Sequence, residues 1–575
     1  MGLYDDLRWY MLNEHERELA ECTRKGEDCV FRSGKKLDPQ KRESWDGQPE
    51  IRGKVISALA ISELKDGDGI VIRPTSRGVN LYGARIPDGF YLSHARVDVP
   101  LALFKCLIAG TISILQSRLA TVAFSDSRIE GSEEPESNNE TITAIRGDGA
   151  QIDGGLFLKN VSVRGEVRLL GADIGGNLEC IGGTFENPKG KAFSADRLKT
   201  SSSVRFDNVT TKGEVRLHGA DIGNNLECAG GTFENQKGIA FGASHLKAGG
   251  NVRFDRAKIK GEVILSGAHI EGQLSCANLQ FEKSFDEKDA RAFIAQNAVI
   301  EGIFFWRDFD STPKGIIDLR HMHVGVLADD LSVWSEKRML GLDGFEYRTI
   351  ASDSPTDSTT RLAWLGLMPS DKYIPQPYRQ LAKVLHQMGH ERDARKIAIA
   401  RMDAYRDRGK VSRARKFWFY IIRWTAGYGY EPWQIWRSAL ATFLIGLLVF
   451  WLSFNSGGMI PAKEEVFLDK CYELNSGSRP PKWERDCESW IAHERSLTSN
   501  PLWLPPEYPE FSAIWFSLDA LLPIVDLHQE SYWLPDGRDE WSFPRIYLWF
   551  HILIGWGLTS ILVAAFTGIV KDKDD

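Results

Sequence analysis

The 575-residue sequence predicts a β-solenoid, then a helical hairpin, then a two-helix transmembrane domain with a re-entrant segment between its helices. Three patterns carry this: a 48-residue internal repeat built on a step of 11, two C-terminal apolar spans, and a short apolar stretch between them that stops at a polar strip. With 43% hydrophobic and 26% charged residues, the remainder reads as an ordinary soluble body.

Residues 1–50 form a helical or irregular cap. Their opening, MGLYDDLRWYMLNEHERELAEC, has acidic residues where an export signal needs a basic start and an apolar core, so the body is expected to stay cytoplasmic. The solenoid is expected over 51–350. GEVRLLGADIGGNLEC at Gly165 returns as GEVRLHGADIGNNLEC at Gly213 and as GEVILSGAHIEGQLSC at Gly261. Apolar residues recur at i, i+2 and i+7 of each 11-residue unit: Leu156, Leu158, Val163; Val167, Leu169, Ile174; Leu178, Cys180, Phe185. Four units plus a four-residue insertion at ENPKG or ENQKG make 48. Val79, Phe90, Leu101 and Ile112 start earlier units.

Alternating apolar residues make short strands with side chains inward, and glycine-rich corners turn the chain. One coil cannot bury its own stripe, whereas stacked coils can. Two units per coil give a four-faced turn of about 22 residues, which resembles the pentapeptide-repeat and related β-helix families. Cys180, Cys228 and Cys276 share one slot, as a ladder of small inward residues or, alternatively, a metal or redox site. The pattern fades after Phe304 and ends near Ile350.

A polar stretch, ASDSPTDSTTR, opens an expected linker at 351–376. Over 377–432, helical spacing on both sides of Gly389 predicts a hairpin resembling a tetratricopeptide pair, continuing into a basic juxtamembrane segment. Arg413, Arg415, Lys416 and Arg423 alternate there with aromatics. This favours anionic lipid head groups over nucleic acid.

The domain at 433–575 contains spans at 433–454 and 546–570, each with about the 20 apolar residues a bilayer demands; two buried core helices are the other reading. Basic residues before the first span and Lys571 and Lys573 after the second place both ends in the cytoplasm and the loop 455–545 outside. Cys471 and Cys487 lie in that loop, as a disulfide or as two thiols.

Within the loop, 511–529 reads FSAIWFSLDALLPIVDLHQ. Its first part is helical, Pro523 ends the helix, and Ile524 begins a returning strand. The order span, half-inserted hairpin, span resembles pore-loop ion channels and implies an oligomeric pore. The glycine-rich filter of potassium-type channels is absent, replaced by Leu522, Pro523, Ile524, Val525, Asp526, Leu527 and His528. Asp526 or Asp519 could then supply a ring of carboxylates favouring cations, with His528 titrating beside it. An interfacial helix on the outer leaflet is the alternative. Ser560, Ala564 and Gly568 share one face of the second span and favour helix packing, and Gly555 and Gly557 permit a hinge.

Repetitive body and spans together resemble a bacterial group sometimes labelled membrane-associated oxidoreductase, which implies a redox enzyme at the inner membrane. No residues here carry that activity: there is no dinucleotide turn, CxxC, HExxH or phosphate loop, and no cofactor is expected. The expectation is an oligomeric, channel-like inner-membrane protein gated by a protein or small molecule on the solenoid. A tethered scaffold without conduction stands second, and an oxidoreductase third.

Overall fold

Val79, Leu101, Val122, Leu156, Leu178, Val204, Leu226, Val252, Leu274, Phe304, Leu327 and Ile350 stand one above another in a single parallel ladder. These are successive coils of the β-solenoid. The computed structural model describes residues 7–32, 36–133, 142–282, 291–310, 312–334, 339–369, 371–463, 466, 508–536 and 542–567. The chain divides into two compact units, Met1–Ile397 and Ala398–Asp575.

Each regular coil carries four short strands, such as Leu156–Phe157, Ser162–Arg164, Glu166–Arg168 and Asp173–Ile174. Leu156, Leu158, Val163, Val167, Leu169 and Ile174 all point inward at 0% exposure. The insertion lies where expected: register shifts between Glu186 and Lys191, and again between Glu234 and Ile239. Corners adopt left-handed backbone, as at Asn160 (φ 51°) and, one coil later, Gly182 (φ 68°), which Gly and Asn tolerate best.

The repeat spans two coils because charge and size alternate from coil to coil. Asp173, Lys199, Asp221 and Lys247 form one outward row; Arg164, Glu186, Lys212 and Glu234 form another. Opposite charges directly across a strand pair stabilise it, by about 0.2–1 kcal/mol. Inside, Cys180 and Cys228 alternate with Phe206 and Phe254, whose rings meet Phe193 and Phe241 edge-on at 5.1 and 5.0 Å. The cysteines are therefore small partners of large rings and not neighbours in a ladder. Burial raises all three thiols well above their ordinary range, so they serve as apolar filler.

The first coil strand begins at Val79, later than residue 51, because helix α2 (Gly53–Ala60) covers the open end. Gly53 leaves no room for a side chain over the Gly89 carbonyl. Before it, α1 (Glu14–Lys25) starts with an Asn13/Glu16 capping box, and buried Glu16 binds Arg52 at 2.6 Å. At the other end, 351–361 is no linker. Asp357 caps α3 (Ser358–Leu365), and Arg361, 0% exposed, grips Asp329 with two 2.8 Å bonds. Trp334 Nε1 donates to the same carboxylate at 2.9 Å. Next, α4 (Gln376–Gln387) donates from Gln380 to the Tyr347 carbonyl of the last coil, and α5 (Glu391–Arg408) runs from the first unit into the second.

The second unit contains α6 (Arg413–Ala426), α7 (Ile435–Asn455), α8 (Ala513–Leu521) and α9 (Phe543–Phe566). Both α7 and α9 are long and apolar enough to cross a membrane. An antiparallel ribbon pairs Met459–Pro461 with Trp533–Pro535. The sequence reading of Cys471 and Cys487 falls outside the described residues.

Candidate functional site

Helix α8 lies between α7 and α9. Phe450, Phe516, Trp533 and Leu548 form a buried core at its beginning, with the Phe450 and Phe516 rings edge-on at 4.7 Å. Next to Phe516, the Ser517 hydroxyl donates to the Phe443 carbonyl at 3.1 Å. His551, fully buried in α9, places Nε2 3.0 Å from the Ser517 carbonyl and Nδ1 3.2 Å from the Tyr547 hydroxyl. A carbonyl can only accept, so Nε2 carries the proton and Nδ1 accepts from Tyr547. Gly446 of α7 faces this cluster, where a β-carbon would strike Ser517 and His551. At the end of α8, the Leu521 carbonyl abuts Gly555, about 18 Å along α9 from Phe543 at the helical rise of 1.5 Å per residue.

The chain then turns back. Leu522 and Val525 are exposed and Ile524 is 80% exposed. Asp526 accepts from the His528 backbone at 2.8 Å and pairs with its Nδ1 at 2.7 Å. Asp519, 8% exposed, accepts backbone N–H bonds from Leu527, Gln529 and Glu530 at 2.7–3.0 Å. It ties the returning segment, which forms turns and not the expected strand, to α8 and is itself nearly buried. Asp526 is then the carboxylate that the loop presents.

Sequence reasoning missed Ser517, Tyr547 and His551: one histidine inside an apolar span carries no spacing signal. Gly555 is packed under Leu521, whereas Gly557 has nothing within 4 Å. Contact between α9 and α7 uses Leu558, Ile561 and Leu562 against Ile435 and Ala439. Ser560 is exposed and Ala564 half-buried, so this small-residue face points away from α7; Gly568 lies outside the described residues. Of the basic residues, Arg413 and Arg415 are exposed and Lys416 half-buried. Arg423 is instead held by Asp403 at 3.2 Å, with Arg406 and Tyr428 on the same carboxylate. No protein-family model matches the chain, and searches of curated proteins and of solved structures return no match.

Proposed function

We propose that the chain is an oligomeric membrane protein in which α8 and the loop after it form a half-inserted hairpin lining a cation pathway. One observation carries this reading: α8 descends beside α9 only as far as Gly555, near the helix midpoint, and the chain there turns back with Leu522, Ile524, Val525, Asp526 and His528 exposed. A two-span subunit cannot enclose water, so copies encircle the axis, the open Gly557/Ser560 face meeting a neighbour. Backbone irregular at membrane depth is tolerated where it lines such a cavity. Asp526 then forms the carboxylate ring that favours cations. Both termini and the solenoid face the cytoplasm of a bacterial cell. A protein or small molecule binding the solenoid acts on the pore through α5, provided that it prefers one state of the pore.

The test is cation flux from liposomes containing purified protein. Flux that disappears in Asp526→Ala while the protein stays assembled supports the reading; absence of flux in the wild type under any tested ligand rejects it. The alternating charge rows of the solenoid flanks favour a second reading, a tethered scaffold that docks a zwitterionic protein surface without conduction.

A further inference from the structure

Helix α6 presents an aromatic face that nothing in its unit covers. Phe419 points inward onto Tyr405 and Tyr428. The opposite side shows Phe417 at 68% and Trp424 at 64% exposure, with Trp418 exposed on its flank and Tyr420, on the other flank, under the Arg406 guanidinium. Positions 417, 421 and 424 follow helical spacing, so the apolar stripe is continuous. Its first turn carries Arg413 and Lys416, together with Arg415, whose guanidinium lies over the Phe419 ring. At its other end Ala426 packs on Ile435, the first residue of α7, and on Leu558 of α9. The stripe therefore reaches the start of α7, where Trp433 and Trp436 are also exposed.

We infer that α6 lies in the plane of the membrane surface and that its occupant is an anionic phospholipid leaflet. Aromatic side chains favour the boundary between head groups and acyl chains. Arginine and lysine at the helix start reach the phosphates, each contributing roughly a fivefold preference for anionic lipid. Arg423 adds nothing to this, because Asp403 holds it. The inference requires α7 and α9 to cross the bilayer and is independent of conduction, so loss of flux and loss of lipid contact are separate results.

The test uses the full chain with Cys22, Cys471 and Cys487 replaced by Ser and a fluorophore on Trp418→Cys. The protein is reconstituted in phosphatidylcholine with a minority of phosphatidylglycerol. Brominated lipids are expected to quench the label while aqueous iodide does not. Brominated phosphatidylglycerol should quench several-fold more per mole than brominated phosphatidylcholine. Replacing Arg413, Arg415 and Lys416 by Gln should bring that ratio near one and leave the quenching by lipid intact. Equal quenching by the two lipids in the unchanged helix overturns the charge selection. Quenching by iodide alone, or by neither agent as under a second copy, overturns the membrane contact.

Discussion

The carbonyl of Leu521, last residue of α8, rests against the bare backbone of Gly555 in α9. Glycine is required there for closeness and not for bending. Gly555→Leu should force α8 off the spans and lower stability by about 1–3 kcal/mol, as overpacking does. Gly557 has open space around it, so Gly557→Leu should leave the subunit fold intact and instead reduce the subunit count. Thermal unfolding in detergent reads the first effect, and mass measurement reads the second.

His551 is the other fastening of α8. His551→Leu removes the hydrogen bonds to the Ser517 carbonyl and to the half-buried Tyr547 hydroxyl. Each hydrogen bond lost costs about 0.5–1.5 kcal/mol, and detergent melting should fall accordingly. His551→Phe, equal in bulk, should lose the same bonds, which separates hydrogen bonding from packing.

At the end of the solenoid, removing Arg361 leaves Asp329 charged and enclosed. Arg361→Met should destabilise the first unit by about 3–5 kcal/mol, whereas replacing Arg361 and Asp329 together by Met and Leu should recover most of that loss. Urea unfolding monitored by tryptophan fluorescence distinguishes the two.

Glu16 gives the cap a dependence on pH. Burial opposes its charge, yet hydrogen bonds from Arg52 and Asn13 outweigh burial and lower its carboxyl below the ordinary value of 4.5. A carboxyl depressed in the folded state stabilises above its unfolded pKa, and that contribution is lost as pH falls through the folded value. Unfolding measured from pH 7 down to below 4 should show the wild type losing its advantage over Glu16→Gln in the acid range.

These elements also show what the sequence could reveal. The 11-residue step exposed the coils because every unit buries the same positions, and the long apolar runs exposed α7 and α9. The helix α3 was invisible: its N-cap is Asp357 and its fully buried Arg361 sits among polar residues in sequence, so the start of a capping helix held by an ion pair looks like polar linker. Asp519 and Asp526 look equivalent in sequence, and only the backbone folding back onto Asp519 distinguishes them. Arg423 likewise joins the basic run in sequence, while Asp403, on the preceding helix, withdraws it.

The central claim is that the turn after α8 sits at membrane depth around a shared axis. A spin label on Ile524→Cys in the full chain, reconstituted in lipid, tests it most directly. The account predicts strong dipolar broadening from neighbouring copies, together with access to a water-soluble nickel relaxant and little access to oxygen. An isolated label reached by oxygen at head-group depth would contradict it.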